Sequence, residues 1–483
     1  MSLLTKSKYL IGLTCLKYFW MMYHDLDKIP EANPAAKLRM EQGKKIGQFA
    51  KQFFPEGIDI TEDFTENLKL TQKLLSQRKI LFEAGIIVGD LYARADILVP
   101  VENNQWDIVE VKSSTKPKEE HYHDLAFQRH VYEKAGLKIR KCCLMHINSN
   151  FRKNGEVKAQ ELMMITDITE VAEQAMEGIN VRIDIMLKIK DNPKSPPDVR
   201  IGDGCSNGLS CLSKDCWSFL PEGNVFELSR GGEKSLELLE AEVLSLKDIP
   251  DEFPLTKNQQ IQRKCAQTGQ AHIEKEKLKM FLDALKGTLY YLDFETFQVG
   301  IPLYDGTKPY QQIPFQFSCH IVDKAKTKHK SFLASSSNDP RKEFLLSLKE
   351  ALGDDGLIVT YNQSFEKTRL KEIAEALPEF KEWVEKTLPR FIDLWEPFRN
   401  FYYYHPKQAG SGSIKDVLPA LTGKDYRNLD IADGEAATTA FLNMTFGDTP
   451  NEQKPKIRAD LEKYCAMDTE AMILIVNELK KLE

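Results

Sequence analysis

The segment TLYYLDFETF, residues 288–297, places two carboxylates two positions apart among aromatic and aliphatic side chains. Its length and apolar composition predict a buried β-strand. Because side chains at i and i+2 of a strand leave the same face, Asp293 and Glu295 are expected to lie side by side in a weakly solvated place. Like charges repel there, so either one carboxyl stays protonated or a divalent cation lies between the two. The alternative is a strand end whose acids face the solvent.

Three further motifs follow this strand. IPFQFSCHIVD predicts a second strand that forms a hairpin with the first. LIVTYNQSFEK predicts a buried strand that runs into a helix, with Asn362 at the junction and Glu366 one helical turn later. DLEKYCAMDTEAM predicts a helix that carries Tyr464 and Asp468 at i and i+4, and therefore on one face.

Taken in order, these motifs resemble the DnaQ-like exonuclease superfamily of ribonuclease H-like fold, with D-x-E on the first strand, N-x-x-F-(D/E) at a helix start and Y-x-x-x-D on the last helix. The resemblance covers residues 286–483 and implies a metal-dependent exonuclease of 3′ to 5′ polarity. It implies that Tyr464 orients the attacking water and that Asn362 contacts nucleic acid. Glu366 stands where an aspartate is usual. The implied metal ligands are Asp293, Glu295, Glu366 and Asp468.

The same region also resembles an uncharacterised bacterial domain found behind RecB-like nuclease domains. The stretches that carry this resemblance are LDFET, GTKPYQQIPFQFS and GSGSIKDVLPAL. Under it, Asp393 and Asp416 are expected to be supporting residues on flanking helices rather than metal ligands.

Length and composition set the scale of the molecule. The chain has 483 residues, 42% of them hydrophobic and 29% charged, with a net charge of −6. At roughly 150 residues per domain, two or three domains are expected. The net charge gives no global sign of nucleic-acid binding, although the basic stretches KSSTKPK and KAKTKHK could contact phosphates or be solvated loops.

Cysteine usage and apolar run length predict where the protein works. Nine cysteines are scattered over the chain, which favours the reducing cytoplasm over a disulfide framework. No apolar stretch approaches the roughly 20 residues that a membrane-spanning helix needs. We therefore expect a cytoplasmic protein without a membrane partner.

A second set of acids lies in the first part of the chain. Asp96 lies in RADIL, and WDIVEVKSS places Glu110 and Lys112 at i and i+2 of a predicted strand, hence on one face. Two acids and a lysine at a strand pair could bind Mg²⁺ or Mn²⁺ and position water, or could be ordinary cross-strand ion pairs. In the predicted helix DLAFQRHVY, Gln128 and Tyr132 share a face.

This order of motifs resembles the RecB-type branch of the PD-(D/E)xK nucleases, including the CRISPR-associated RecB-like exonucleases. The resemblance covers residues 1–221. It implies that Asp96, Glu110 and Lys112 are metal-binding and catalytic residues, and that Gln128 and Tyr132 contact DNA or support the site. The early helix GKKIGQFAKQFFP lacks the histidine that those nucleases often carry, so this domain could instead be a non-catalytic nucleic-acid-binding scaffold.

Four cysteines extend the same resemblance. Iron-sulfur members of the RecB-like family take one cysteine from the N-terminal helix and three from the C-terminal edge of the nuclease domain. A 4Fe-4S cluster or a tetrahedral zinc would suit four thiolates, and free thiols are the remaining alternative. The cysteines at the matching places are Cys15, Cys205, Cys211 and Cys216.

Together these patterns predict an α/β protein. A PD-(D/E)xK domain of the restriction endonuclease type is expected over residues 1–221, a helical connector over 222–285, and a ribonuclease H-like mixed-sheet domain over 286–483. The predicted function is that of a Mg²⁺- or Mn²⁺-dependent phosphodiester hydrolase acting on DNA with a free 3′ end. A ribonuclease that uses the same C-terminal acids is the alternative.

Overall fold

The structure is divided into two compact units. The first, the N-terminal unit, comprises the chain up to residue 218 together with residues 299–311, and the C-terminal unit comprises the remainder. The expected connector, 222–285, is therefore part of the C-terminal unit. Helices and strands occur in both units, which confirms the predicted α/β class. The computed structural model describes residues 3–202, 205, 211, 214–324 and 326–482.

The N-terminal unit contains a mixed sheet. Its strand order is β2-β3-β4-β5-β6-β7, and β1 pairs in parallel with β4. The pairs β3–β4 and β4–β5 are antiparallel, whereas β5–β6 is parallel. The strands are β1 (Leu4–Thr5), β2 (Ile58–Asp59), β3 (Leu81–Val88), β4 (Leu91–Val101), β5 (Gln105–Val111), β6 (Lys138–Ile147) and β7 (Met163–Asp167).

Helices cover this sheet and enclose its core. The predicted helix around Gln128 is α5, which packs on β4 and β6 and buries Phe127 and Val131 against Ile108 and Leu144. The helices are α1 (Lys6–Thr14), α2 (Leu16–His24), α3 (Pro34–Lys51), α4 (Phe64–Leu75), α5 (Glu119–Lys134), α6 (Ala159–Leu162), α7 (Thr169–Ala175) and α8 (Ile179–Lys190).

The C-terminal unit is built on another mixed sheet, of order β11-β10-β9-β12-β13. β9 pairs antiparallel with β10, as the predicted hairpin requires, and parallel with β12. β8 and β14 form a separate pair. The strands are β8 (His272–Ile273), β9 (Leu289–Phe297), β10 (Ile313–Asp323), β11 (Lys326–Leu333), β12 (Leu357–Thr360), β13 (Phe391–Asp393) and β14 (Tyr403–Tyr404).

Helices flank this second sheet, and the longest of them ends the chain. Within the described residues, every helix is too short or too polar to cross a membrane. The helices are α9 (Glu233–Glu240), α10 (Lys257–Thr268), α11 (Lys275–Ala284), α12 (Arg341–Leu352), α13 (Ser364–Ala376), α14 (Lys381–Thr387), α15 (Glu396–Arg399), α16 (Ile414–Thr422), α17 (Gly434–Phe446) and α18 (Lys454–Lys480).

The two faces of β9 have different roles because successive side chains of a strand point to opposite sides. Leu292 and Phe294 enter a core that includes Phe344 of α12, whose ring meets that of Phe294 edge to face at 4.9 Å. Asp293 and Glu295 alternate with them and belong to the other face, where α18 packs on β9. The apolar face thus fixes the position of the strand that carries both acids.

Candidate functional site

Carboxylates from three elements lie in the C-terminal unit where β9 meets α18 and the start of α13. Glu295 is 7% exposed, and Glu366, in the first turn of α13, is 2% exposed. Asp468 on α18 is 7% exposed. Burying several like charges together is unfavourable, so the surrounding groups determine whether these carboxyls are protonated or bind a cation. We call Asp293, Glu295, Glu366 and Asp468 the C-terminal carboxylate centre.

The junction between β12 and α13 positions Glu366. Asn362 has a left-handed backbone with φ 74°, and its N–H donates to Asp393 Oδ1 at 2.9 Å. The same oxygen accepts from the N–H of Trp395 at 3.0 Å. Asp393 therefore holds the backbone at two positions, as a supporting residue, but it is the last residue of the strand β13 and not part of a helix as expected. Asn362 itself is exposed.

The helix α18 contributes three side chains to the surroundings of the centre, those of Tyr464, Cys465 and Asp468. Tyr464 and Asp468 are one turn apart on the same face, as predicted, and Tyr464 is 4% exposed. Between them, Cys465 places its Sγ 3.8 Å from Asp293 Oδ2. The possible ligand atoms of Asp293, Glu295 and Cys465 all lie within 4.8 Å of one another.

The pKa values of all four acids in this centre lie above their ordinary values, because the acids are buried with few cations near them. Burial raises the pKa of Asp293 and of Glu295, and neighbouring carboxylates raise both further. Burial also raises the pKa of Glu366. For Asp468 burial raises the pKa to about 6, although Tyr426, Lys415 and Tyr464 act in the opposite direction.

Two cations lie near these acids, and both have other partners. Lys415 Nζ donates to the carbonyl oxygen of Ala432 at 2.8 Å and lies 5.5 Å from the centroid of the Tyr464 ring. Arg369, which lowers the pKa of Glu366, is paired with Glu372 at 2.9 Å. Among the described residues, neither cation forms a salt bridge with an acid of the centre, so ionisation of these carboxyls leaves negative charge that no side chain neutralises.

Two oxygen atoms of the centre are buried without a protein partner. Among the described residues, neither Glu366 Oε2 nor Asp468 Oδ1 has a hydrogen-bond donor. Buried oxygens of this kind are rare in folded proteins and point to an ion or water as the missing partner. Hard divalent cations prefer carboxylate oxygens, so the donor set fits Mg²⁺ or Mn²⁺.

A second carboxylate cluster lies in the N-terminal unit, at β4, β5 and α5. Glu110 is 1% exposed, and its Oε1 accepts from Lys112 Nζ at 2.8 Å. Lys112 Nζ also donates to Asp124 Oδ2 at 2.6 Å. Asp96 Oδ2 accepts from the N–H of Val111 at 2.8 Å. The structure thus brings Asp96, Glu110 and Lys112 together as the sequence predicts.

The residue that the sequence did not reveal here is Lys6. Its Nζ donates to Glu110 Oε1 at 2.6 Å and lies 3.9 Å from Asp96 Oδ1 and 4.0 Å from Asp124 Oδ1. Burial raises the pKa of Glu110, but Lys112 and Lys6 outweigh that effect and bring it below its ordinary value. We call the group Lys6, Asp96, Glu110, Lys112 and Asp124 the N-terminal cluster.

Gln128 and Tyr132 lie under this cluster rather than on its surface. Both are fully buried. Gln128 Nε2 donates to Glu110 Oε2 and to Asp124 Oδ1, each at 2.8 Å. The Tyr132 hydroxyl accepts from the N–H of Ala95 at 3.0 Å and donates to the carbonyl of Ala84. Their burial favours the supporting role over direct contact with DNA.

The predicted cysteine group remains a prediction, because no three of its thiols lie within 4.8 Å of one another among the described residues. Burial raises the pKa of the Cys15 thiol, the N–H groups of Tyr18 and Lys17 lower it, and Cys216 and Cys205 raise it further. These three thiols therefore lie near one another, and Lys17 Nζ is 3.4 Å from Cys216 Sγ. Cys211 is half-buried, and the residues on both sides of it lie outside the described part of the chain.

A cleft of about 840 Å³ opens in the C-terminal unit, and its lining includes residues of α10 and α15. In its described lining four cations occur without a carboxylate. Trp395, half-buried, forms part of its wall. Gly412, in the lining of the cleft, accepts a hydrogen bond at its carbonyl from the hydroxyl of Tyr361, the residue before Asn362, at 2.6 Å. Its cations, which define the cationic cleft, are Arg230, Lys234, Lys257 and Arg399.

Comparisons with known proteins cover parts of the chain. A domain of unknown function, DUF2779, matches residues 290–413, which include β9 and the start of α13 and end before α18. An uncharacterised protein of Mycoplasma genitalium is 31% identical over 228 residues, 43% of this chain and 34% of that protein. An uncharacterised protein of Ureaplasma parvum is 27% identical over 221 residues, 41% of this chain and 32% of that protein. The chain spans about a third of the length of these relatives. No solved structure matches.

Proposed function

We propose that the chain is a divalent-metal-dependent nuclease whose catalytic site is the C-terminal carboxylate centre, and that it removes nucleotides from DNA in the 3′ to 5′ direction. Two buried carboxylate oxygens that have no donor within the described part of the chain carry this proposal. They belong to a group of four acids that the nearby cations do not neutralise. The proposed folds are ribonuclease H-like for the C-terminal unit and PD-(D/E)xK for the N-terminal unit.

The carboxylate centre would hold Mg²⁺ or Mn²⁺ through Asp293, Glu295, Glu366 and Asp468. The bound ions supply a lowered pKa for the attacking water and neutralise charge on the phosphate and on the leaving 3′ oxygen. The side chains of the protein would position the metal ions and the attacking water. Tyr464, one turn before Asp468 on α18, is proposed to orient the water through its hydroxyl.

The cationic cleft supports nucleic acid as the substrate. Arg230 and Arg399 are exposed, and the guanidinium of Arg399 lies 5.0 Å from the centroid of the Trp395 ring. Cations that contact phosphates, together with an aromatic face on which a base can stack, are the usual means of holding a single strand. Asn362, exposed just before α13 and four residues before Glu366, is proposed to contact the strand.

The proposed substrate is DNA, with RNA as the alternative for the same site. Metal ions and carboxylates act on the phosphates, whereas a protein distinguishes RNA from DNA chiefly at the 2′-hydroxyl. The N-terminal unit is proposed to be a RecB-like nuclease or a DNA clamp, with a 4Fe-4S cluster or zinc at its four cysteines. The described residues include no disulfide among the nine cysteines, which supports the cytoplasm as the proposed location.

The test is degradation of 5′-labelled single-stranded DNA, duplex DNA and RNA with Mg²⁺ or Mn²⁺. We expect the wild type to give a ladder that shortens from the 3′ end, EDTA to abolish it, and Asp293→Asn to remove most of it. Asp448→Asn, which changes an exposed acid outside the centre, serves as the matched control and should keep the activity. Wild-type rates for folded Asp293→Asn protein on every substrate would show that β9 does not carry the site.

A further inference from the structure

The position of Lys6 is set by the backbone of the N-terminal unit. Leu4 is fully buried and pairs with Leu91 of β4, and Thr5 pairs with Tyr92. The Thr5 side chain caps α1 by accepting from the N–H of Lys8 at 3.3 Å. Lys6 is the first residue of α1, so strand pairing and the helix cap both direct it to the same place.

At that place the ammonium group of Lys6 meets the carboxylates that a metal ion would need. It donates to Glu110 Oε1 at 2.6 Å and lies about equally far from an oxygen of Asp96 and one of Asp124, at 3.9 and 4.0 Å. Lys6 thus places a positive charge of the chain between three carboxylates, where a metal cation would otherwise have to bind.

The other oxygens of the cluster are also engaged. Glu110 Oε1 accepts from Lys112 as well, and Glu110 Oε2 accepts from Gln128. Asp124 Oδ1 and Oδ2 accept from Gln128 and Lys112. Three carboxylates thus face two ammonium groups, and a divalent ion would have to displace hydrogen bonds and lie beside like charges. In the C-terminal carboxylate centre, by contrast, two carboxylate oxygens have no hydrogen-bond donor among the described residues.

We propose that Lys6 is the resident cation of the N-terminal cluster, so that this unit holds no divalent metal ion, and that removing Lys6 creates a metal site from Asp96, Glu110 and Asp124. The N-terminal unit is then a scaffold or clamp and not a second metal-dependent nuclease. The buried Gln128 donates through Nε2 to Glu110 and Asp124, and its Oε1 has no donor among the described residues. The inference does not depend on the function proposed for the C-terminal unit.

The experiment measures Mn²⁺ binding to the full chain by electron paramagnetic resonance of free Mn²⁺. The parent carries Asp293→Asn and Asp468→Asn, so that the C-terminal carboxylate centre contributes little. Adding Lys6→Met to this parent should give one additional Mn²⁺ per chain, bound about tenfold tighter or more than by the parent. Adding Asp96→Asn to the Lys6→Met protein should remove the gained site, because that carboxylate would be a ligand.

Lys8→Met is the matched control. Lys8 lies on the same helix, but its Nζ lies 3.7 Å from the centroid of the Tyr23 ring and not in the cluster, so this variant should gain no Mn²⁺. Lys6→Gln, which removes the charge but keeps a hydrogen-bond donor, provides a second variant should Lys6→Met not fold. The proposal is overturned if the parent already binds a Mn²⁺ that Asp96→Asn removes, or if the folded Lys6 variants bind no more Mn²⁺ than the parent.

Discussion

Glu110 and Asp468 show how neighbours give two buried carboxylates opposite properties. Burial raises the pKa of each. For Glu110, the ammonium groups of Lys112 and Lys6 more than reverse the shift, whereas Tyr426, Lys415 and Tyr464 do not reverse it for Asp468, whose pKa reaches about 6. A carboxylate that two lysines already hydrogen-bond gains little free energy from a metal ion, whereas a carboxylate whose buried oxygen lacks a donor among the described residues gains more. The difference lies in single contacts, which composition does not reveal.

Tyr464→Phe tests the part of the site that is not a metal ligand. Losing the hydroxyl should lower the turnover of the proposed exonuclease by an amount equivalent to about 1 to 3 kcal/mol, while Mn²⁺ affinity stays close to that of the wild type. Single-turnover rates and Mn²⁺ titrations separate the two. Tyr290→Phe, on the opposite face of β9, is the matched control and should change neither. A large loss of Mn²⁺ affinity in Tyr464→Phe would contradict the assigned role.

Arg399→Ala and Arg230→Ala test the cationic cleft. Each should weaken binding of single-stranded DNA several-fold and reduce the slope of log affinity against log salt by about one, because one phosphate contact is lost. Filter binding or fluorescence anisotropy at several salt concentrations gives both quantities. Lys480→Ala, which removes an exposed charge at the end of α18, should leave the slope unchanged. Equal slopes for all three variants would remove the cleft from the proposed binding path.

Whole elements were predictable where the pattern is local. The period-two alternation of β9, the strand–helix junction at Asn362 and the i, i+4 pair on α18 are each contained in a few residues, and the structure has them as predicted. Lys6 was not predictable because 104 positions separate it from Glu110, and only the pairing of β1 with β4 brings the two together. Asp124 could have been found, since it is one helical turn before Gln128. Cys465, which lies outside the predicted cysteine group, places its Sγ 3.8 Å from Asp293 Oδ2.

The cysteine group is tested at the scale of elements, because its members connect the junction of α1 and α2 with the end of the N-terminal unit. Protein purified without oxygen should contain iron and acid-labile sulfide, or stoichiometric zinc, and Cys216→Ser should lose the metal and lower the melting temperature of that unit. Cys143→Ala, in β6 of the same unit, should keep the metal. Elemental analysis and calorimetry measure these outcomes, and folded wild-type protein without metal would refute both assignments.

At the scale of the whole molecule, each unit has its own sheet and core, and the units differ in how their buried charges are balanced. The segment 299–311 belongs to the N-terminal unit although it joins two strands of the C-terminal sheet. The assignment of this segment to the N-terminal unit depends on contacts between residues far apart in the sequence, and no local pattern indicates it. The net charge of −6 likewise averages over a compensated cluster and an uncompensated one.

The uncompensated centre predicts how stability depends on pH and on metal. Burial raises the pKa of the carboxyls of this centre, that of Asp468 to about 6, above the ordinary values that they take in the unfolded chain. A group shifted in this direction contributes stability that is fully present below its unfolded pKa and is lost as the pH rises through its folded pKa. In EDTA, the C-terminal unit should therefore melt at a lower temperature at about pH 7.5 than at about pH 5.

Mg²⁺ should reverse this loss, because it replaces the protons that the acids give up. The increase in melting temperature on adding Mg²⁺ should be larger at about pH 7.5 than at about pH 5. Asp293→Asn with Asp468→Asn removes two of the interacting charges, so its melting temperature should depend less on pH in EDTA and respond less to Mg²⁺, whereas Asp448→Asn should behave like the wild type. Calorimetry of the full chain at both pH values decides the matter: a Mg²⁺ effect of the same size at both, unchanged in the double variant, would mean that the ion does not bind at these acids.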